Sequence, residues 1–115
     1  MDTLLLLILI MTTGNLFQMF YTSRGVTQSE EESVTLKCSY ETSSSYVFLY
    51  WYRQYPGQAP QYLLYKGARS YSGSYEHIPD PRFDSTTSQT STELHIKVLT
   101  LADTALYYCA LRLAQ

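Results

Sequence analysis

Few side chains in this sequence have the types and spacing that chemistry needs. His77 stands with Glu76, Asp80 and Asp84, groups able to ligate a metal or move a proton. They fall in a loop-like run without the spacing of a zinc motif, so solvated loop residues are the better reading. His95 alternates with Leu94 and Ile96 and is expected to face solvent on a strand. The chain has no phosphate-cradling glycine loop, no Gly-x-Ser-x-Gly elbow and no basic aromatic stripe for nucleic acid. The expectation is therefore no enzyme, no catalytic residue, no metal ligand and no cofactor. The remaining reactive pair is Cys38 and Cys109, the only cysteines, 71 positions apart.

A chain of 115 residues, 45% hydrophobic and 16% charged, can bury the core of one domain but not of several. Its formal charge of -2 gives no reason to expect a nucleic-acid partner. Twelve Tyr with four Phe and one Trp make 15% aromatics, which suits a β-rich fold with amphipathic binding surfaces.

Leu4 to Met11 is an unbroken apolar run, followed by the small residues Thr12, Thr13 and Gly14. This reads as a secretory leader ending after Gly14, although Asp2 rather than Lys or Arg precedes it. A second apolar cluster, Leu16 to Tyr21, allows a later end at Gly25. A buried strand is the other reading; as a helix the run extends only about 12 Å against roughly 30 Å of hydrocarbon, too short to span. Export implies an oxidising compartment, and there two cysteines inside strand-like runs suggest one structural bridge. Closing so long a loop stabilises the fold by roughly 4 kcal/mol in the chain-entropy model.

The elements that must position these residues are strands. Ser33 to Tyr40 alternates Val34, Leu36 and Cys38 against Thr35, Lys37 and Ser39, the pattern of a half-buried antiparallel strand. Thr42 to Tyr46 reads as a loop, Leu49 to Tyr55 as a strand, Pro56-Gly57 as a tight turn and Gln61 to Tyr65 as the returning strand. Pro79 and Pro81 exclude a central strand, and Phe83 to Thr87 is an edge-strand candidate. Thr92 to Val98 alternates Leu94, Ile96 and Val98 with polar residues; a short turn through Leu101 and Ala102 leads to a last strand, Ala105 to Leu111. With the cysteines on the inward phase of an early and a late strand, their bridge would join two packed sheets, and Trp51 is the large residue to cover it.

Cys38, Trp51 in Trp51-Tyr52-Arg53-Gln54, and Asp103-Thr104-Ala105-Leu106-Tyr107-Tyr108-Cys109 together resemble the immunoglobulin variable domain over roughly Val26 to Arg112. Tyr55-Pro56-Gly57 and Tyr108-Cys109-Ala110-Leu111 look most like a T-cell receptor alpha or delta variable segment, while Gln58-Ala59-Pro60 and Leu64-Tyr65 also suit an antibody light chain. The resemblance implies an all-β, V-type Greek-key sandwich with one inter-sheet disulfide, divided as leader 1–14, domain 15–112 and a third-loop stub 113–115. It implies a tyrosine corner at Tyr107 and an Arg82–Asp103 pair linking the turn before the last strand to the start of the Phe83 strand.

Strand alternation turns Tyr52 and Gln54 outward when Trp51 points inward, and Tyr108 outward beside Cys109. With Pro60, read as lying on the neighbouring strand, these four would make a flat amphipathic patch, which the resemblance implies is the face that packs against a second variable chain, of beta or gamma type. The resemblance places a first recognition loop at Thr42, Ser43, Ser44, Ser45, Tyr46, Val47 and Phe48. A second comprises Lys66, Gly67, Ala68, Arg69, Ser70, Tyr71 and Ser72, and a third opens with Ala110, Leu111 and Arg112. Its ligand would be a peptide on a histocompatibility molecule (peptide-MHC), with CD3 signalling subunits engaged elsewhere, at the outer face of the plasma membrane. Similar domains carry a further strand with a Phe-Gly-x-Gly bulge; its absence after Arg112 predicts a germline or truncated segment with an unpaired sheet edge. An antibody light chain, a non-rearranging innate receptor and a homophilic adhesion domain remain open alternatives.

Overall fold

Period-two alternation of apolar and polar residues sets the architecture. The computed structural model describes residues 33–113, together with the backbone of four short segments before them. Those segments are β1 (Thr3–Ile10), β2 (Leu16–Phe17), β3 (Met19–Phe20) and β4 (Val26–Ser29). The strands that follow are β5 (Val34–Tyr40), β6 (Tyr46–Gln54), β7 (Gln61–Arg69), β8 (Glu76–His77), β9 (Phe83–Thr87), β10 (Ser91–Ile96) and β11 (Ala105–Leu113). A 3-10 turn, Leu101–Asp103, precedes β11. The front sheet runs β4-β1-β11-β6-β7-β8, with β2 also on β11, and the back sheet β3-β5-β10-β9.

The inward phases of the two sheets make the core. Val34, Leu36, Cys38 and Tyr40 of β5 face inward with exposed residues between them. Leu94 and Ile96 of β10 meet Val47, Leu49 and Trp51 of β6 and Tyr107, Cys109 and Leu111 of β11 in one cluster. Cys38 and Cys109 are joined across the sheets, with a Cα–Cα separation of 6.6 Å. Trp51 lies opposite Cys109 and Thr92 opposite Cys38. The indole Nε1–H donates to Thr92 Oγ1 at 3.3 Å, so the polar end of the largest core residue is satisfied beside the bridge.

Several boundaries differ from the sequence reading. Tyr46, Val47 and Phe48 belong to β6 and Lys66, Gly67, Ala68 and Arg69 to β7, not to loops. Val47 and Ala68 pair across the ladder and are both fully buried, so core packing lengthens the hairpin beyond the turn-signal limits. Likewise Ala110, Leu111 and Arg112 continue β11, the first two fully buried. Pro60 sits just before β7 rather than on it, as a residue without an N–H must at a ladder. Glu76 and His77, read as loop, pair with Lys66 and Tyr65 as a short edge strand. In the full chain the edge of β11 expected to be bare is covered by β1, the run read as a leader, which lies parallel to it from Leu6 opposite Ala105 to Ile10 opposite Cys109. Both suggested leader ends, Gly14 and Gly25, and the stub residues Ala114 and Gln115 lie outside the described residues.

Candidate functional site

The outer face of the front sheet is aromatic. Tyr46, Phe48, Tyr50 and Tyr52 alternate along β6 with the buried Val47, Leu49 and Trp51. Tyr50 lies opposite Tyr65 and Tyr52 opposite Tyr62, although 62 and 65 are an odd number of residues apart. A register shift between Trp51 and Tyr52 resolves this. Both Leu63 and Leu64 turn into the core against the single residue Trp51, so a β-bulge brings Tyr62 and Tyr65 to one side. Tyr50 then contacts Tyr65 at 5.2 Å, Tyr52 at 6.3 Å and Tyr62 at 6.4 Å between ring centroids. His77 stacks on Tyr62 at 5.6 Å, and its Nδ1 hydrogen-bonds the Tyr62 hydroxyl at 2.7 Å.

Tyr52 and Gln54 come together with Tyr108, whose hydroxyl donates to Gln54 Oε1. The Gln54 amide nitrogen donates in turn to the Gln58 carbonyl at 2.7 Å, which anchors the β6–β7 turn. Loss of solvent raises the Tyr62 hydroxyl pKa to about 12, aided by the neighbouring Tyr65, Tyr50 and Tyr52. Tyr52 is raised for the same first cause, with Tyr50 adding to it and Arg112 opposing. At neutral pH the Tyr52 and Tyr62 hydroxyls are therefore uncharged, and the face is amphipathic with the Arg112 cation near Tyr52. At its foot, Gln54 to Gly57 and Thr104 to Leu106 line a cavity of about 370 Å³.

At the upper end of the hairpin the aromatic stripe continues onto the rim. Phe48 meets Tyr71 at 4.9 Å and Tyr75 at 5.8 Å, and Tyr46 meets Tyr71 at 5.4 Å. Tyr46 is 52% and Tyr75 48% exposed, so both offer ring surface to a partner. Ser43, Ser45, Ser70 and Ser72 are exposed beside them, while Thr42 and Ser44 are half-buried. The Ser70 N–H donates to the Ser45 carbonyl at 3.0 Å, which holds the two connections together. Gly67 lets them close: a Cβ there would lie 2.5 Å from the Tyr71 carbonyl oxygen. Arg69, read as a contact residue, instead spends its guanidinium on the carbonyls of Thr42, Ser44 and Gln89.

Below the sheets a polar cluster fixes the start of β11. Asp103 is 1% exposed, and its Oδ2 accepts from Arg82 Nη2 at 2.5 Å and the Thr100 N–H at 2.9 Å. Arg53 Nη1 faces Oδ1 at 3.6 Å. The Tyr107 hydroxyl donates to the Asp103 carbonyl at 2.7 Å. Burial raises the Tyr107 pKa above the ordinary tyrosine value, the nearby Asp103 charge adding to the effect.

The residues considered for catalysis do not assemble. Asp80 Oδ1 accepts from the Arg82 N–H and Asp84 Oδ1 from the Ser85 N–H, each a local turn contact. Among the described residues no group of three or more His, Cys, Asp or Glu is placed to hold a metal ion. His95 is half-exposed on the back sheet, bonded to Thr35 and Thr86.

Tyr50, Tyr62, Tyr65 and Tyr75 were not singled out from the sequence as functional. The available signal was the aromatic at every second position from Tyr46 to Tyr52; the bulge that aligns Tyr62 with Tyr65 carries no comparable mark.

The family described as Immunoglobulin V-set domain matches residues 21–115. The chain is 37% identical to a T-cell receptor alpha chain V region, RL-5, of Oryctolagus cuniculus, over 96% of this chain and 79% of the relative. It is 36% identical to human T cell receptor alpha variable 9-2, over 75% of this chain and 73% of the relative. It is also 33% identical to human T cell receptor alpha variable 14/delta variable 4, over 79% and 77%.

Proposed function

Since the chain belongs to the immunoglobulin V-set family, alongside T-cell receptor alpha and delta variable regions, a non-enzymatic receptor family, we propose that it is an antigen-recognition variable domain of such a receptor. In this reading the outer face of the front sheet packs against a second variable domain of beta or gamma type. The rim formed by the 41–45 and 70–75 connections, with the end of β11, meets a peptide on a histocompatibility molecule. In this reading the run up to Gly14 is a leader removed on export, which takes β1 away and leaves its edge of β11 unpaired in the mature domain, and the domain works outside the cell; among the described residues no helix is long and apolar enough to cross a membrane.

The observation that carries the pairing half of the proposal is the tyrosine face. Tyr50, Tyr52 and Tyr62 are large and have few rotatable bonds, and Tyr62 is 39% exposed in the single chain. Residues of this kind supply contact area at low entropic cost, and tyrosine is enriched at interface hot spots. The rim has the complementary character, with exposed Tyr46 and Tyr75 among serines able to adapt their hydrogen bonds. Co-expression with a beta-type variable domain, followed by purification of the oxidised pair, tests the proposal. A one-to-one complex supports it, and a chain that stays monomeric beside a folded partner contradicts it.

A further inference from the structure

Arg69 is among the most heavily committed side chains at the recognition rim, and none of that commitment points outward. Its Nη1 donates to the Thr42 carbonyl at 2.6 Å and the Ser44 carbonyl at 2.7 Å. Its Nε and Nη2 both donate to the Gln89 carbonyl, at 3.0 and 2.5 Å. Four of the roughly five N–H donors of a guanidinium are thereby used on backbone oxygens of two connections distant in sequence. The guanidinium also lies over the Tyr40 ring, 5.1 Å from its centroid, and the Tyr40 hydroxyl donates to the Ser88 carbonyl at 2.6 Å. Tyr40 thus pins the β9–β10 connection from below while Arg69 pins it from the side.

The backbone of Arg69 is itself unusual. Its φ of 58° lies in the left-handed region that favours glycine. Left-handed geometry ends β7 there and starts the second connection, in which the Ser72 N–H returns to the Arg69 carbonyl at 3.0 Å. An arginine is therefore held in a conformation that it does not prefer, by hydrogen bonds that only a forked donor set can make. Lysine, a point donor on a flexible stem, cannot reach three carbonyls in these directions at once.

We propose that Arg69 is a positioning residue that locks the 41–45, 70–75 and 88–90 connections into one pre-organised rim, rather than a residue that touches ligand. Carbonyls that would otherwise turn freely in water are fixed before any partner arrives, so less ordering remains to be done on binding. Tyr46 and Tyr71, which flank Arg69 and pack at 5.4 Å, inherit that fixed position. The consequence for recognition rests on the receptor reading above, whereas the locking itself is a property of the single chain.

Amide hydrogen exchange on the full, oxidised chain separates the two. Arg69→Gly removes the guanidinium while suiting the left-handed backbone, and Arg69→Lys keeps the charge without the fork. In both variants the amides of Ser44, Tyr46, Ser70 and Thr90 should exchange about tenfold faster or more, as expected when charge-assisted hydrogen bonds are lost. Amides of Leu36, Leu94 and Cys109 in the sheets should keep their rates. Unchanged rim exchange in Arg69→Gly, full retention of protection in Arg69→Lys, or equal acceleration in rim and core would each overturn the proposal. No ligand enters the experiment, so its failure leaves the receptor reading standing, and failure of the receptor reading leaves its result intact.

Discussion

The Arg82 guanidinium reaches across the base of the sandwich to the Asp103 carboxylate, an Nη2–Oδ2 distance of 2.5 Å that ties the start of β9 to the turn before β11. Asp103 is 1% exposed and Arg82 40% exposed, so the pair is half-shielded from water. The same carboxylate closes the Thr100 cap, and the carbonyl of the same residue receives the Tyr107 hydroxyl. One buried acid thereby organises three segments.

Arg82→Ala is expected to lower stability by about 1–2 kcal/mol, between the values for surface and buried ion pairs, because Arg53 still faces the acid. In a domain of this size that is a melting-midpoint loss of roughly 5–10 °C. Asp103→Ala should cost more, about 3 kcal/mol, since it strips the Thr100 N–H of its acceptor and takes the carboxylate from two guanidinium groups. Thermal melts of both variants check the order; equal midpoints for Arg82→Ala and the parent chain would remove the pair from the account.

Gly67→Ala places a Cβ 2.5 Å from the Tyr71 carbonyl oxygen and 2.7 Å from its Cβ. The second connection must then move off β7, breaking the 2.9 Å bond from the Gly67 N–H to the Tyr75 carbonyl. A loss of about 1–3 kcal/mol is expected for such overpacking. Exchange of the residue-67 amide should accelerate in step, and a stable variant with that amide still protected would show that the loop sits elsewhere.

The pH response follows from the tyrosines. Burial raises the Tyr107 hydroxyl pKa, and the Tyr62 hydroxyl is raised to about 12. A folded-state pKa above the unfolded value means that the native state holds its proton more tightly. These contributions are complete below the ordinary tyrosine pKa of about 10 and are lost as pH rises through and beyond 12. Chemical unfolding midpoints should thus hold between neutrality and about pH 9 and fall above about pH 10. Absorbance titration should show Tyr107 ionising only as the fold is lost; its ionisation in an intact fold would contradict the buried hydroxyl bond.

Much of the sandwich was legible because burial on one face imposes period two. β5, β9 and β11 begin within a residue of the sequence reading, and Cys38, Trp51 and Cys109 fall on the inward phase expected of them. The hairpin ends were not legible. Val47 stands two residues after a serine run and Ala68 between Gly67 and Arg69, and only their mutual burial extends β6 and β7 past the turn signals. The three loops were drawn too long for the same reason, since ten of their seventeen residues are strand. The hydrogen bonding of Arg69 was not legible, because an arginine beside a serine gives no sign that backbone carbonyls from two other connections will converge on it. Nor does composition mark a bulge: Leu63 and Leu64 look like any apolar pair, yet they decide which tyrosines share a face.

The pairing face gives the last prediction. Tyr52→Ser and Tyr62→Ser remove ring area from the outer surface without touching the core, so each should leave the melting midpoint within a few degrees while weakening association with a partner domain by about thirtyfold, the size of a moderate hot spot.

Sedimentation of the oxidised chain mixed with a T-cell receptor beta variable domain measures that association directly. A one-to-one complex that is lost in the Tyr52→Ser, Tyr62→Ser double variant is the result expected. No complex, a complex indifferent to both substitutions, or a homodimer in its place would contradict the assignment of the tyrosine face to a second variable domain.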